Sequence, residues 1–264
     1  MIICLDVGNT NIKYALFEGE ELIMSFRVAT EHKKTSDEYG GQLISILANN
    51  GVSPAQIDGG IISSVVPPLD YTLERMLKTY LKFTPLVLGP GLKTGLNLKV
   101  DNAREVGADR VVNNVSAVKK YGTPLIIIDF GTATTFNAIN EKGEFIGGVI
   151  APGIKGSLDS LVNGTAKLPR VEIEKPARVI GTNTVTNMQS GIVYGFAGLV
   201  EFIVKKMKRE MGCEGVTTVA TGGFSEIIAK EISCIDKVDK LLTLEGLRYL
   251  YYLNCGDGGV KDKR

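Results

Sequence analysis

The sequence predicts a two-domain α/β protein made by internal duplication, and three observations carry that reading. The stretch DVGNTNIKYALF from Asp6 and the stretch DFGTATTFNAIN from Asp129 share one plan, about half a chain apart. Each has an apolar run (IICL, LIII), an Asp-x-Gly turn with small polar residues, then an alternating apolar and polar pattern. Each plan also continues alike, FEGEELIMSFRV turning at Gly19 and INEKGEFIGGVIAP at Gly143 into a third strand. Beyond each three-strand unit, helical periodicity alternates with short apolar runs, the pattern of strands joined by crossover helices.

In the first half, DEYGGQLISILANNG predicts a helix, GGIISSVV a strand, PLDYTLERMLKTYLK a second helix and PLVLG a strand. EVGADRVVNNVSAVKKYG then predicts a long helix that carries the chain onward. In the second half, GIKGSLDSLV reads as a short helix and residues 163–182 as a loop outside the repeat. NMQSGIVYGFAGLVEFIVKKMKRE reads as a long helix whose middle is too apolar for a simple amphipathic stripe, which suits a core helix or a subunit interface. GVTTVATGG predicts a strand ending in a glycine turn, with SEIIAKEI and LEGLRYLYYLN as the last helices. The boundary falls near residue 118, giving domains 1–118 and 119–264.

Composition narrows the partners. With 44% hydrophobic residues in 264, the chain can bury ordinary cores. Thirty basic and twenty-nine acidic residues leave a net charge of +1, so no strong field recruits nucleic acid or an anionic membrane, and small molecules or proteins are the expected partners. The start lacks the basic flank and long apolar stretch of a signal peptide, and no apolar run reaches the roughly 20 residues of a membrane span, so a cytoplasmic location is expected. Cys4, Cys213, Cys234 and Cys255 are far apart, which argues against zinc and fits reduced thiols. The single histidine, His32, lies in the polar stretch TEHKKTSDE, so a general base is expected to be a carboxylate.

The Asp-x-Gly turns carry the chemistry. Glycine lets backbone N–H groups and small hydroxyls approach phosphate closely, and Asp6 makes sense as a holder of hydrated Mg²⁺. Asp, Asn, Thr and Gly are also common residues of ordinary tight turns, and it is the repetition that favours a pair of phosphate loops facing one nucleotide. In TVATGGFSE, the turn at Gly222 and Gly223 offers backbone against which a base and ribose can lie. The Walker pattern is absent, its nearest approach being GVIAPGIKGS, and no Gly-x-Gly-x-x-Gly follows a strand.

Taken in order, DVGNTN, GADR (107–110), DFGTATT, GGVIAPG (147–153), NT with MQSG (183–191) and ATGG resemble the type III pantothenate kinases along nearly the whole chain. That resemblance implies a duplicated actin-like (ribonuclease H-like) fold, each domain a mixed five-stranded sheet flanked by helices. It implies ATP-dependent phosphorylation of pantothenate to 4′-phosphopantothenate, the first step of coenzyme A synthesis, in a homodimer with shared active sites. By resemblance, Asp6, Val7, Gly8, Asn9, Thr10, Asn11, Ile12 and Lys13 form the ATP-phosphate loop, with Asp6 near Mg²⁺ through water, and Thr132 is a second phosphate contact. Asp129 is similar to the ligand of a monovalent cation, K⁺ or NH₄⁺. Gly107, Ala108, Asp109 and Arg110 look like the pantothenate segment, with Asp109 as general base, and Thr184 resembles a pantothenate contact supplied from the second subunit.

The physical demands agree with those roles, since phosphorylating an alcohol needs a carboxylate near the hydroxyl and cations on the phosphates, and Arg110 can pair with a substrate carboxylate. Two departures stand out. Family members often read Tyr-Asp-Asn-Pro before the GADR segment, where this chain has Val100, Asp101, Asn102 and Ala103, and Thr182 replaces a common lysine. Two alternatives stay open at this level: a kinase for another small alcohol, and a non-enzymatic nucleotide-binding regulatory protein on the same scaffold.

Overall fold

The computed structural model describes residues 1–255. Among them are two mixed sheets flanked by helices, as the sequence predicts. Contacts divide the chain into two compact units. The first comprises residues 1–95, 104–116 and 243 onward; the second comprises 96–103 and 117–242.

In the first unit, β1 (Ile2–Val7), β2 (Asn11–Glu18) and β3 (Glu21–Ala29) form an antiparallel meander, and β4 (Gly59–Ser64) and β5 (Leu86–Val87) add in parallel. The sheet order is β3-β2-β1-β4-β5. Ile3, Leu5 and Val7 of β1, with Ile12, Tyr14 and Leu16 of β2, face a core closed by α1 (Ser36–Asn49) and α2 (Pro67–Tyr80). Alternation in a strand puts Ile2, Cys4 and Asp6 on the opposite face. That face meets α7 (Leu242–Cys255), whose Tyr251 hydroxyl comes so close to Gly59 of β4 that a Cβ there would lie 2.1 Å away. Arg248 of α7 reaches the Gly19 carbonyl at 3.2 Å and lies over the Phe17 ring.

The second unit repeats this topology. β7 (Leu125–Phe130), β8 (Ala133–Ile139) and β9 (Glu144–Pro152) form the meander, and β10 (Thr217–Gly222) and β11 (Lys237–Val238) add in parallel to β7. The β2–β3 register shifts between Leu16 and Phe17, and the β8–β9 register shifts between Ala138 and Ile139, the matching place in the repeat. The second sheet also carries a sixth strand beyond the expected five, since β6 (Asn97–Leu98) pairs with the outer edge of β9. Ile126, Ile128 and Phe130 face a core with α4 (Ile154–Asn163), α5 (Thr184–Met211) and α6 (Ser225–Ala229). The apolar middle of α5 supplies Ile192, Phe196, Val200 and Val204 to that core, and Phe202 is exposed.

Helix ends follow local chemistry. Thr35 and Glu38 close a capping box at α1, Asn183 and Thr186 one at α5, and Gly212 ends α5 in the left-handed conformation. The long helix α3 (Ala108–Tyr121) begins after Gly107, three residues later than its periodicity suggests, because residues 103–105 form a separate 3₁₀ turn. No described helix is long and apolar enough to cross a membrane.

Thr35→Ala removes the α1 cap and should cost about 1 kcal/mol. Leu73→Ala empties a fully buried position on α2 and should cost roughly 2–5 kcal/mol. Urea unfolding followed by circular dichroism orders the two, and equal losses would contradict the core assignment.

Candidate functional site

In the first unit, fully buried β1 delivers Asp6 at its C-terminal end. Strand register puts Lys13 of β2 on one side of Asp6 and Ser63 of β4 on the other, all on the face away from α1 and α2. Lys13 Nζ donates to Asp6 Oδ2 at 3.2 Å. The turn that follows is tied down by its own backbone: Gly8 N–H donates to the Asn11 carbonyl at 3.1 Å, and Thr30 Oγ1 donates to the Gly8 carbonyl at 2.6 Å. Asn9 and Thr10 stand exposed at its tip. Val7 and Ile12, expected in the phosphate loop, turn their side chains into the core, so only their backbone can serve a ligand.

Asp109 lies in the first turn of α3, in the same unit. Its Oδ1 accepts from the backbone N–H of Arg110 at 2.8 Å. A Cβ on Gly107 would lie 2.6 Å from that oxygen, so glycine there leaves the carboxylate its space. Burial pushes the Asp109 carboxyl above the ordinary aspartate range; the Arg110 N–H opposes this, the nearby Asp6 carboxylate adds to it, and Arg110 and Lys13 charges pull back. The Arg110 guanidinium is itself held below its usual value by burial. Asp6, Lys13, Asp109 and Arg110 therefore form one electrostatic group, and Gly107 leaves the Asp109 carboxylate room within it.

In the second unit, Asp129 ends β7 as Asp6 ends β1. Register flanks it with Thr135 of β8 and Thr221 of β10, a row of oxygen-bearing side chains where the first unit has Lys13 and Ser63. Gly131 N–H donates to the Ala133 carbonyl at 3.1 Å, and Thr132 is exposed in the turn. Gly222 adopts φ +91°, and a Cβ there would lie 2.6 Å from the Phe130 carbonyl and 2.7 Å from Asp129 Oδ1. Ser225 Oγ donates to the Gly222 carbonyl at 2.8 Å and Gly223 is exposed.

In the sequence alone GGVIAPG has no assigned role. Its last residue, Gly153, caps α4 with no side-chain hydrogen bond, and a Cβ there would lie 2.0 Å from the Thr132 carbonyl. The start of α4 thus stands against the turn that carries Thr132. Lys155 in that first turn borders a cavity of about 390 Å³ shared with Asp159, Arg170, Glu172 and Phe224, the residue after Gly223. Thr184 opens α5 and lines a separate cavity of about 540 Å³ with Leu161, Asn187 and Met188. Val100 is partly buried just beyond β6.

Both loops fit phosphate and its counter-ions. Among the described residues no cluster of three or more His, Cys, Asp or Glu could hold a metal ion. The single carboxylate of Asp6 would suit a hydrated divalent cation held through water, since Mg²⁺ gives up its waters reluctantly. Asp129 between two threonines, beside the space that Gly222 keeps open, suits a hard cation that takes oxygen ligands.

The model of the type III pantothenate kinase family matches residues 2–206. Among solved structures, the chain is similar to a Sinorhizobium meliloti protein described as a 2-dehydro-3-deoxygalactonokinase, at 11% identity and TM-score 0.64 over 100% of both chains. It is also similar to a Campylobacter jejuni protein described as a Baf family transcriptional activator, at 16% identity and TM-score 0.59, covering 96% of this chain and 98% of that one. A third likeness is to component A of the Acidaminococcus fermentans (R)-2-hydroxyglutaryl-CoA dehydratase, at 15% identity and TM-score 0.53, covering 93% and 94%. At these identities the likeness shows a shared fold.

Gly222→Ala forces a left-handed backbone on alanine and drives a methyl group toward backbone oxygen. Thermal unfolding should show a loss above the roughly 1 kcal/mol of an open positive-φ glycine such as Gly19. A loss no larger than that of Gly19→Ala would contradict the close packing at Asp129.

Proposed function

The chain belongs to the type III pantothenate kinase family, and we propose that it transfers the γ-phosphoryl group of ATP to the primary hydroxyl of pantothenate, giving 4′-phosphopantothenate and ADP. The observation that carries this reading is Asp109, a carboxylate raised by burial and by Asp6 at the start of a helix, with Arg110 beside it. A raised carboxyl is the better base near neutrality, because its proton affinity comes closer to that of the group it serves. Asp109 accepts the hydroxyl proton as the hydroxyl oxygen bonds to the γ-phosphorus and the bond to the β–γ bridging oxygen breaks, the electron pair leaving with ADP.

Lys13 is placed to exchange Asp6 for phosphate, since its side chain is 44% exposed while that of Asp6 is 11% exposed. Arg110 pairs with the carboxylate of pantothenate. Asn9 and Thr10 at the tip of the first unit's turn are the donors that unit offers to phosphate, and Thr132 with the opening N–H groups of α4 are those that the second unit offers. When bound, Mg²⁺ near Asp6 and K⁺ or NH₄⁺ at Asp129 supply positive charge that offsets the phosphates. Thr184 contacts pantothenate in a homodimer with shared sites, by the family resemblance. A kinase for a different small alcohol would use the same groups, and Val100 in place of the family's tyrosine gives that reading its one specific support.

In a coupled ADP-release assay, turnover should require pantothenate and K⁺ or NH₄⁺, and a panel of related alcohols should rank below pantothenate. A better alcohol in the panel would replace the substrate named here. Asp109→Asn should reduce kcat at least a thousandfold, on the order expected when a base is lost together with its alignment; near-normal kcat would remove Asp109 from the reaction.

The same carboxyl links function to stability. A folded-state value above the unfolded one favours the protonated form, so this contribution is full at low pH and lost as pH rises through the folded value. Asp109→Asn, which keeps an oxygen for the Arg110 N–H, should therefore melt above the wild type at pH 7, and the gap should close on acidification. A variant less stable than wild type at pH 7 would contradict the raised value.

A further inference from the structure

Ser63 sits near the end of β4 and is fully buried. Its hydroxyl has no hydrogen-bond partner in the protein. Leaving a buried hydroxyl unmade is costly, and alanine at a strand position on this face would avoid the cost, so stability does not account for the residue. Its location is specific. In the parallel pairing of β1 and β4, Ser63 is the register partner of Asp6, and neighbouring strands lie about 4.8 Å apart, so the two side chains stand next to each other on one face.

The other neighbour of Asp6 is Lys13, which holds Oδ2 at 3.2 Å and is the more exposed of the pair. If Lys13 turns to a phosphate, Asp6 keeps its charge in a buried place and loses its donor. A serine hydroxyl can rotate to supply one without moving the backbone. We propose that Ser63 is a positioning residue, the donor in waiting that takes over Asp6 when Lys13 leaves it for the nucleotide, and so keeps the carboxylate aimed at the hydrated cation. This rests on the reading of the first unit as a phosphate site.

Other fully buried hydroxyls with no partner, such as Thr218 Oγ1 of β10, provide the contrast. Thr218 pairs with Ile126, on the core face of its sheet and away from the Asp129 row, and the Asp236 carboxylate beside it already accepts from the Thr218 backbone N–H at 2.7 Å. Thr218→Val is the matched control.

The experiment compares wild type, Ser63→Ala and Thr218→Val by thermal unfolding without nucleotide and by calorimetric titration with Mg²⁺–ADP and with a non-hydrolysable Mg²⁺–ATP analogue. Ser63→Ala should melt at or above the wild-type temperature, bind the Mg²⁺–nucleotide roughly tenfold to a hundredfold more weakly, and need more Mg²⁺ for half-maximal binding. Thr218→Val should match the wild type in binding. Unchanged binding by Ser63→Ala, a clear drop in its melting temperature, or an equal loss in Thr218→Val would each overturn the role of Ser63. Failure of the wild type itself to bind any Mg²⁺–nucleotide would sink the kinase reading instead, so the two failures are distinguishable.

Discussion

Two carboxylates held within each other's field, Asp6 and Asp109, set the terms for the rest of the first unit. Two negative charges in a partly dry place repel, and a protein can relieve the repulsion by adding a cation, by raising one proton affinity, or by both. This chain does both. Lys13 is paired with Asp6, and Asp109 is raised, first by its own burial and then by the Asp6 charge, while the Arg110 N–H opposes the rise and keeps its oxygen in place. The glycine at 107 exists because the carboxylate occupies the space a side chain would take. Burial of β1 and its position in the middle of the sheet fix Asp6 in place.

Duplication explains why a second acid stands ready in the second unit and why its surroundings differ. The two sheets share their strand order, their mixed pairing and even the position of a register shift. Equivalent strand pairing presents three side chains in a row near the end of the first strand of each meander. In one copy the row reads Lys13, Asp6, Ser63; in the other it reads Thr135, Asp129, Thr221. Replacing the ammonium by hydroxyls leaves a carboxylate among oxygen donors, with an opening kept by Gly222. The first row suits a carboxylate that changes partners, and the second suits one that keeps a monovalent cation, the role proposed for Asp129.

Much of the fold was legible because its signals are local. Asp-x-Gly turns between alternating runs gave both meanders, and 3.6-residue periodicity gave α1, α2, α5 and α7 to within a few residues. Errors gathered where pairing or geometry is non-local. PLVLG reads as a five-residue strand, yet only Leu86 and Val87 pair, and β6 has two residues with no periodicity at all. SEIIAKEI predicts a helix through Ile232, yet α6 ends at Ala229. In the candidate site, Asp6 was readable because its Asp-x-Gly turn is repeated at Asp129, and Lys13, Asp109 and Arg110 through the resemblance that DVGNTN and GADR carry. Ser63 was not, since within GGIISSVV it reads as one more strand residue and only register places it beside Asp6. The contact of Gly153 with Thr132 was equally hidden, because it joins turns two strands apart in the chain.

The account turns on the protonation of one carboxyl, and that can be observed directly. Carbon-detected NMR titration of isotopically labelled, ligand-free protein follows the side-chain carboxyl of Asp109. The account predicts a midpoint clearly above the ordinary aspartate value of about 4, moving down in Asp6→Asn, where the neighbouring charge is gone. A midpoint at or below the ordinary value, or one that Asp6→Asn leaves in place, would contradict it.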